Sequence, residues 1–211
     1  MDQENDTGYY WPAYVDFMTV LFFIALGIGG LMYLQYARQI QGLKKYQTVF
    51  SETVSIIEKL KMEFKEKNIR LDTDAKDKIK LKGDFYFETN QDSLKDQNAK
   101  SIIISIGQSI KRVLDVDSNK FKYSIVIEGH TDNRGDEEYN NGLSFRRSAS
   151  IANIWKNECR LILPDYEIVP AGYGELRPFR PNTDDINRSL NRRIEISINP
   201  KMSEFTKLIQ Q

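Results

Sequence analysis

Asp16 is the only charge between Ala13 and Leu34, in a run of about 22 otherwise apolar or neutral residues. A carboxylate at the centre of a bilayer costs on the order of 2.5–3.5 kcal/mol on insertion scales, so one kept there has work to do. A carboxylate there that trades one proton between two aqueous sides is an energy-coupling element. Farther along, Asp132 and Arg147 lie fifteen positions apart in "EGHTDNRGDEEYNNGLSFRRSAS", a connection denser in polar groups than its length requires. A facing carboxylate and guanidinium suit a zwitterion, because Arg grips a carboxylate through two parallel hydrogen bonds while Asp receives an ammonium. A structural salt bridge uses the same two residue types, and spacing alone does not choose between them.

Composition bounds the elements that must carry these groups. With 30 Lys and Arg against 30 Asp and Glu, wholesale attraction to nucleic acid is not expected. The apolar run is long enough for one helix to cross a hydrocarbon core of about 30 Å. Tyr9, Tyr10, Trp11 and Tyr14 precede it and Tyr33 and Tyr36 close it, as amphipathic rings do at headgroup level. A cleavable signal peptide is the rival reading, but such peptides open with positive charge and "MDQENDTG" carries none. The expected organisation is a leader over 1–10, a transmembrane helix over 11–36, a helical linker over 37–68, a folded domain over 69–200 and a tail over 201–211. Counting Lys and Arg alone would place the C-terminal side in the cytoplasm, since Arg38, Lys44 and Lys45 follow the span and none precedes it.

In the linker, Leu43, Phe50, Ile57 and Phe64 recur every seven residues, filled in by Tyr46, Val54 and Leu60. The stripe predicts a helix from about Gln39 to Lys67, and with no matching segment in the chain it predicts a parallel coiled coil with a second copy. Beyond it, alternation at Ile79 and Leu81 and at Phe85 and Phe87 reads as strands, and "SLKDQNAKSIIISIGQSIKRVL" as a helix. "KYSIVIEG" is a strand and "LSFRRSASIANIWKNE" a helix with Leu143, Ile151, Ile154 and Trp155 inward, while "YEIVPAGYG" and "NRRIEISI" are strands. The fold class expected is an α+β domain, a mixed sheet with helices on one face.

Three separated blocks, "GHTDNRG....YNNGLSFRR", "GYGELRP" and "NRRIEISI", resemble in order the OmpA-like peptidoglycan-binding domain, over nearly all of Gly83 to Ile198. The resemblance implies that Asp132 and Arg147 clamp the amino-acid end of a diaminopimelate side chain, with Thr131, Asn140 and Leu143 lining the pocket. Separately, "WPAYVDFMTVLFF" is similar to the N-terminal helix of MotB-like stator subunits, in which one aspartate, here Asp16, is essential. That likeness implies a leader in the cytoplasm and a periplasmic domain beyond the bacterial inner membrane, overruling the charge count. It also implies a MotA-like partner, five copies around two of these chains, with the transported ion, a proton by default, in place of a cofactor. Thr19, one turn from Asp16, offers a hydroxyl to the ion path, though a Thr bonded back to its own helix is the commoner case. The short acidic leader and compact plan look most like the ZorB subunit of Zorya anti-phage defence systems, partnered by ZorA, rather than a flagellar or gliding stator. A static wall tether is the alternative of another class, and it gives Asp16 no role.

Other signals are discounted. His130 is the only histidine, and one His without ligands at metal spacing is a poor site, so no metal is expected. Cys159 is alone and forms no internal disulfide. No nucleophile with its base and no phosphate loop is present in the sequence, and no enzyme is expected.

Overall fold

The computed structural model describes residues 10–69, 77–117, 122–162 and 166–201. The expected leader, but for Tyr10, and the expected tail, but for Lys201, lie outside the described residues. The chain divides into two units, 1–47 and 48–211, and helix α1 (Tyr10–Glu66) contributes to both.

In the first unit, α1 is long and apolar enough to cross a membrane. Its large side chains, Phe17, Leu21, Phe22 and Phe23 among them, are exposed, a surface suited to lipid or to another apolar helix. Thr19 Oγ1 donates to the Val15 carbonyl at 2.7 Å. Its proton is thereby committed to the helix backbone, the commoner of the two expectations, and only its lone pairs face outward.

The second unit is a four-stranded mixed sheet in the order β1-β4-β2-β3. Strand β1 (Ile79–Lys82) and β2 (Tyr123–Gly129) both run antiparallel to β4 (Arg193–Pro200), whereas β3 (Tyr166–Gly172) lies parallel to β2. Alternation sorts the side chains. Ile79, Leu81, Ile125, Ile127, Ile194 and Ile196 join the core with Ile103, Ile106 and Ile110 of α2 (Gln97–Asp117) and Ile151 and Trp155 of α3 (Glu137–Glu158). Lys80, Glu128, Arg193, Glu195 and Ser197 alternate with them and are buried too. Trp155 Nε1, deep in the core, donates to the Ile103 carbonyl at 2.8 Å, so its one polar atom is satisfied.

The end of α1 corrects the coiled-coil expectation. Ile57, Leu60 and Phe64 of the stripe, with Ile56, are buried in this domain's own core. Glu63 accepts hydrogen bonds from Ser109 Oγ and Arg112 Nη1, both at 2.8 Å, which pins this segment to α2. The last turns of the expected linker thus pack within the folded unit. A seven-residue repeat is two helical turns, and it signals a buried face without saying whether the cover comes from the same chain. Leu43, Tyr46 and Phe50 remain exposed. Phe64→Ala is expected to destabilise the domain by about 3–5 kcal/mol, and Phe50→Ala, at 56% exposure, by less than about 0.5 kcal/mol. Urea unfolding of the detergent-solubilised chain checks this, and equal losses at the two positions would count against the intrachain packing.

Two further expectations shift. Phe85 and Phe87 do not form a strand: Gly83–Phe85 is a single 3-10 turn, and Phe87 makes only an isolated bridge with Leu94. The chain turns there because Gly83 lies against the backbone of Arg192, with its N–H donating to the Arg192 carbonyl at 2.8 Å, and a Cβ on Gly83 would sit 2.8 Å from that oxygen. Helix α3 starts six residues before the expected Leu143, because Asp136 caps it by accepting from the Tyr139 N–H at 2.8 Å.

Candidate functional site

The early start of α3 places Asn140, Leu143 and Arg147 three and four residues apart on one helical face. What brings that face to the end of β2 is a pair of glycines. Gly129 and Gly172 are register partners on β2 and β3. A Cβ on Gly129 would lie 2.0 Å from the Ser144 carbonyl oxygen, and one on Gly172 would lie 2.5 Å from the Phe145 nitrogen. Only hydrogen in place of a side chain lets α3 lie this close to the sheet.

The chain leaving β2 is then held from both sides. The His130 N–H donates to the Arg193 carbonyl and the Thr131 N–H to that of Gly174, at 3.0 and 2.9 Å. Asp132 follows, buried, with Oδ1 accepting from the Arg134 N–H at 3.0 Å. Its Oδ2 accepts from Arg192 Nη1, and Arg192 grips Asp84 through both carboxylate oxygens, at 2.8 and 2.7 Å. The hydrogen bonds to Asp84 hold the Arg192 guanidinium well above its ordinary value, against burial and with help from Asp132.

Arg147 is also buried, but no carboxylate neutralises it by contact. Its Nε donates to the Gln91 carbonyl at 2.8 Å and its Nη2 to that of Glu88 at 3.0 Å, and the guanidinium lies over the Phe87 ring. Nη1 makes no hydrogen bond among the described residues. Burial pushes the Arg147 guanidinium below its ordinary value, opposed by the Asp84 charge. Asp132 and Arg147 are not bonded to each other, so the direct salt bridge left open by their spacing is not what the fold builds.

All five residues singled out in this region, Thr131, Asp132, Asn140, Leu143 and Arg147, line one cleft of about 200 Å³, joined by Thr89, Asn90, Arg134 and Arg192. Asn140 donates to Glu175 Oε2 at 3.1 Å, which orients its amide at the cleft edge. Thr131 Oγ1 is buried without a hydrogen-bond partner. A cleft that offers a buried carboxylate, an un-neutralised guanidinium and a free hydroxyl can hold a small molecule with both charges; it contains no nucleophile–base pair. Sequence reasoning missed Asp84 and Arg192. The doublet in "NRRIEISI" was the available signal, and its partner over a hundred positions away gave none.

His130 sits just outside the cleft, stacked on Tyr173 with ring centroids 5.5 Å apart. Burial pushes it down to about 3, and the Arg193 charge adds to that against Glu195. A neutral folded His stabilises above the unfolded value of 6.5, and that stability is lost as pH falls toward about 3, because unfolding then takes up a proton. Burial alone would raise Glu195, but the Arg193 hydrogen bond and charge, with Lys78, bring it down to about 2, which adds a second loss below 4.5. The domain's melting temperature is expected to fall steadily from pH 6.5 downward, and His130→Gln is expected to flatten the arm above pH 4.5. An unchanged profile in that variant would contradict a buried neutral histidine.

Residues 86–192 match the OmpA family. The chain is 34% identical over 112 residues to the outer-membrane lipoprotein YfiB of Pseudomonas aeruginosa, covering 53% of this chain and 60% of that protein. It is 31% identical over 118 residues to the peptidoglycan-associated lipoprotein of the same organism, with the same coverages. These matches span 60% of either relative's length. Among solved structures, a MotB-like protein from Desulfovibrio vulgaris aligns with 74% of this chain and 98% of its own at a TM-score of 0.58 and 18% identity. The periplasmic domain of Helicobacter pylori MotB aligns with 63% of this chain and 82% of its own at 0.51 and 20%. At these identities the likeness is one of fold.

Proposed function

The chain belongs to the OmpA family, and from that premise we propose that it is the wall-anchored B subunit of an ion-driven stator in the bacterial inner membrane. The observation that carries this reading is the presence in one chain of Asp16, the lone charge of an apolar helix, and of a cleft whose Asp132 and Arg147 are each fixed but not joined. The name of one relative, a peptidoglycan-associated lipoprotein, supports the wall-binding half of the reading, and the likeness in fold to the periplasmic domain of MotB concerns that same half.

In this reading the cleft takes the zwitterionic end of a diaminopimelate side chain. The carboxylate approaches Arg147 Nη1, the ammonium approaches Asp132, and Thr131 supplies a hydroxyl. The leader is cytoplasmic and the domain periplasmic. Asp16 is loaded with a proton from one side and emptied to the other. Each unit charge moved down 100 mV releases about 2.3 kcal/mol, comparable to the cost of an ionised carboxylate within the membrane. One helix cannot enclose a conduction path, so the walls come from a second copy and from a MotA-like subunit, five around two, whose rotation is the output. The helical stripe directly after the span, with the wall-binding domain close behind it, favours the ZorA–ZorB motor of Zorya anti-phage defence over flagellar or gliding motors. No covalent chemistry and no direct nucleic-acid contact is assigned to this chain.

Native mass measurement of the complex purified from its own membranes in mild detergent tests the stator reading. A five-to-two assembly with a multi-pass partner is the expected result. The chain alone, or a bare dimer, would instead favour a static tether.

A further inference from the structure

Glu128 and Glu195 are direct register partners across the antiparallel β2–β4 pair. Like charges facing each other in a sheet repel, and burial sharpens the repulsion, so this position demands a cation. A side chain supplies it: Lys78 Nζ lies 2.5 Å from Glu128 Oε2 and 3.1 Å from Glu195 Oε2, while Arg193 Nε takes Glu195 Oε1 at 2.6 Å.

The third wall is His130, two residues beyond Glu128. It is 3% exposed, and neither ring nitrogen has a hydrogen-bond partner. Stacking on Tyr173 explains where the ring plane lies and leaves both nitrogens unexplained. A buried unsatisfied nitrogen is costly, which is reason to ask what it is kept for. One ring nitrogen and one oxygen from each carboxylate all lie within 4.8 Å of one another. The ammonium satisfies the two glutamates and does not engage the histidine. An ion with bonds of about 2.0–2.2 Å to N and O donors would engage all three.

We propose that Glu128, His130 and Glu195 form a binding site for a divalent transition-metal cation, which enters by displacing the Lys78 ammonium. One imidazole and two carboxylates suit Zn²⁺, Co²⁺ or Mn²⁺, whereas Ca²⁺ and Mg²⁺ prefer oxygen donors alone. The exchange is open to Lys78 because its side chain keeps 27% of its exposure and can withdraw to water, while the two glutamates stay at 10% or less. Replacing one positive charge by two beside Arg193 adds a unit of charge to the site. The cation and Lys78 are therefore competitors, and removing Lys78 should tighten binding. The site lies outside the wall-binding cleft and does not rest on that assignment.

The test is a Co²⁺ titration of the untagged full chain in detergent, read by visible d–d absorption and reversed with Zn²⁺. One equivalent per chain should bind, with absorption typical of a four- or five-coordinate ion. Lys78→Met should tighten binding at least about tenfold, or 1.4 kcal/mol, and His130→Gln should remove the band while leaving the far-ultraviolet dichroism intact. Absence of a band in both the original chain and Lys78→Met would overturn the proposal, as would an unaltered titration in His130→Gln.

Discussion

Asp16→Asn is expected to assemble into the membrane complex at normal levels and to abolish ion-driven function completely. The substitution keeps shape and hydrogen-bonding capacity and removes the ability to ionise. Asp16 is exposed on α1, so no packing among the described residues depends on it. Folding and transduction are therefore separable at this residue. The measurement pairs complex recovery from membranes with a cellular readout of the motor and with proton uptake by reconstituted vesicles. Full activity of the Asn protein would end the transduction reading. Loss of assembly would instead assign Asp16 to helix association, since a buried polar group can also hold transmembrane helices together. Thr19→Val is the companion: with its hydroxyl proton already on the Val15 carbonyl, it should assemble and retain more activity than the Asn variant.

Asp132→Asn and Arg147→Ala are each expected to weaken sedimentation of the full chain with purified sacculi by about 30-fold or more. Truncating one partner of a buried, hydrogen-bonded charge pair costs about 2–5 kcal/mol, mostly because the other charge is left buried and unmatched. The two variants differ in their side effects. Arg147 also ties the 88–91 segment to α3 through the Glu88 and Gln91 carbonyls, so its loss should lower the melting temperature as well. Asp132→Asn keeps the acceptor for the Arg134 N–H but leaves Arg192 facing an uncharged amide. Free diaminopimelate should displace wall fragments from the original protein. If both variants bind sacculi normally while remaining folded, the clamp is wrong. If they fail to bind and the motor still works in cells, wall attachment is dispensable.

The extent to which this protein is legible from its residues varies by region. A span needs only length and an apolar composition, both local properties, so α1 was readable as far as its membrane part. Alternation marked Ile79 and Leu81 and the stretch from Tyr123 to Ile127 as strands, and the polar density between Thr131 and Arg147 marked the cleft. The resemblance to a wall-binding domain named residues that the fold brings to one cavity. It was silent on Arg192, whose partner Asp84 is far off in sequence, just past the end of the neighbouring strand β1, and meets it only through the β1–β4 pairing.

Partner choice was the property hidden from the sequence. The stripe through Ile57, Leu60 and Phe64 announced a buried face, and whether a second chain or the domain's own core would cover it depended on where α2 came to rest. His130 looked like a solitary histidine because its neighbours in the chain offer no third ligand. Antiparallel register then set Glu195 against Glu128, and the alternation that sent the isoleucines of both strands into the core turned these carboxylates toward the imidazole. By itself the sequence determined which stretches are apolar, which alternate and which concentrate charge, since these follow from side-chain chemistry and the two short periods of helix and strand. Only the tertiary structure decided which of those faces and charges meet, because contacts between distant residues are set by sheet register and helix docking, and neither is encoded in local spacing.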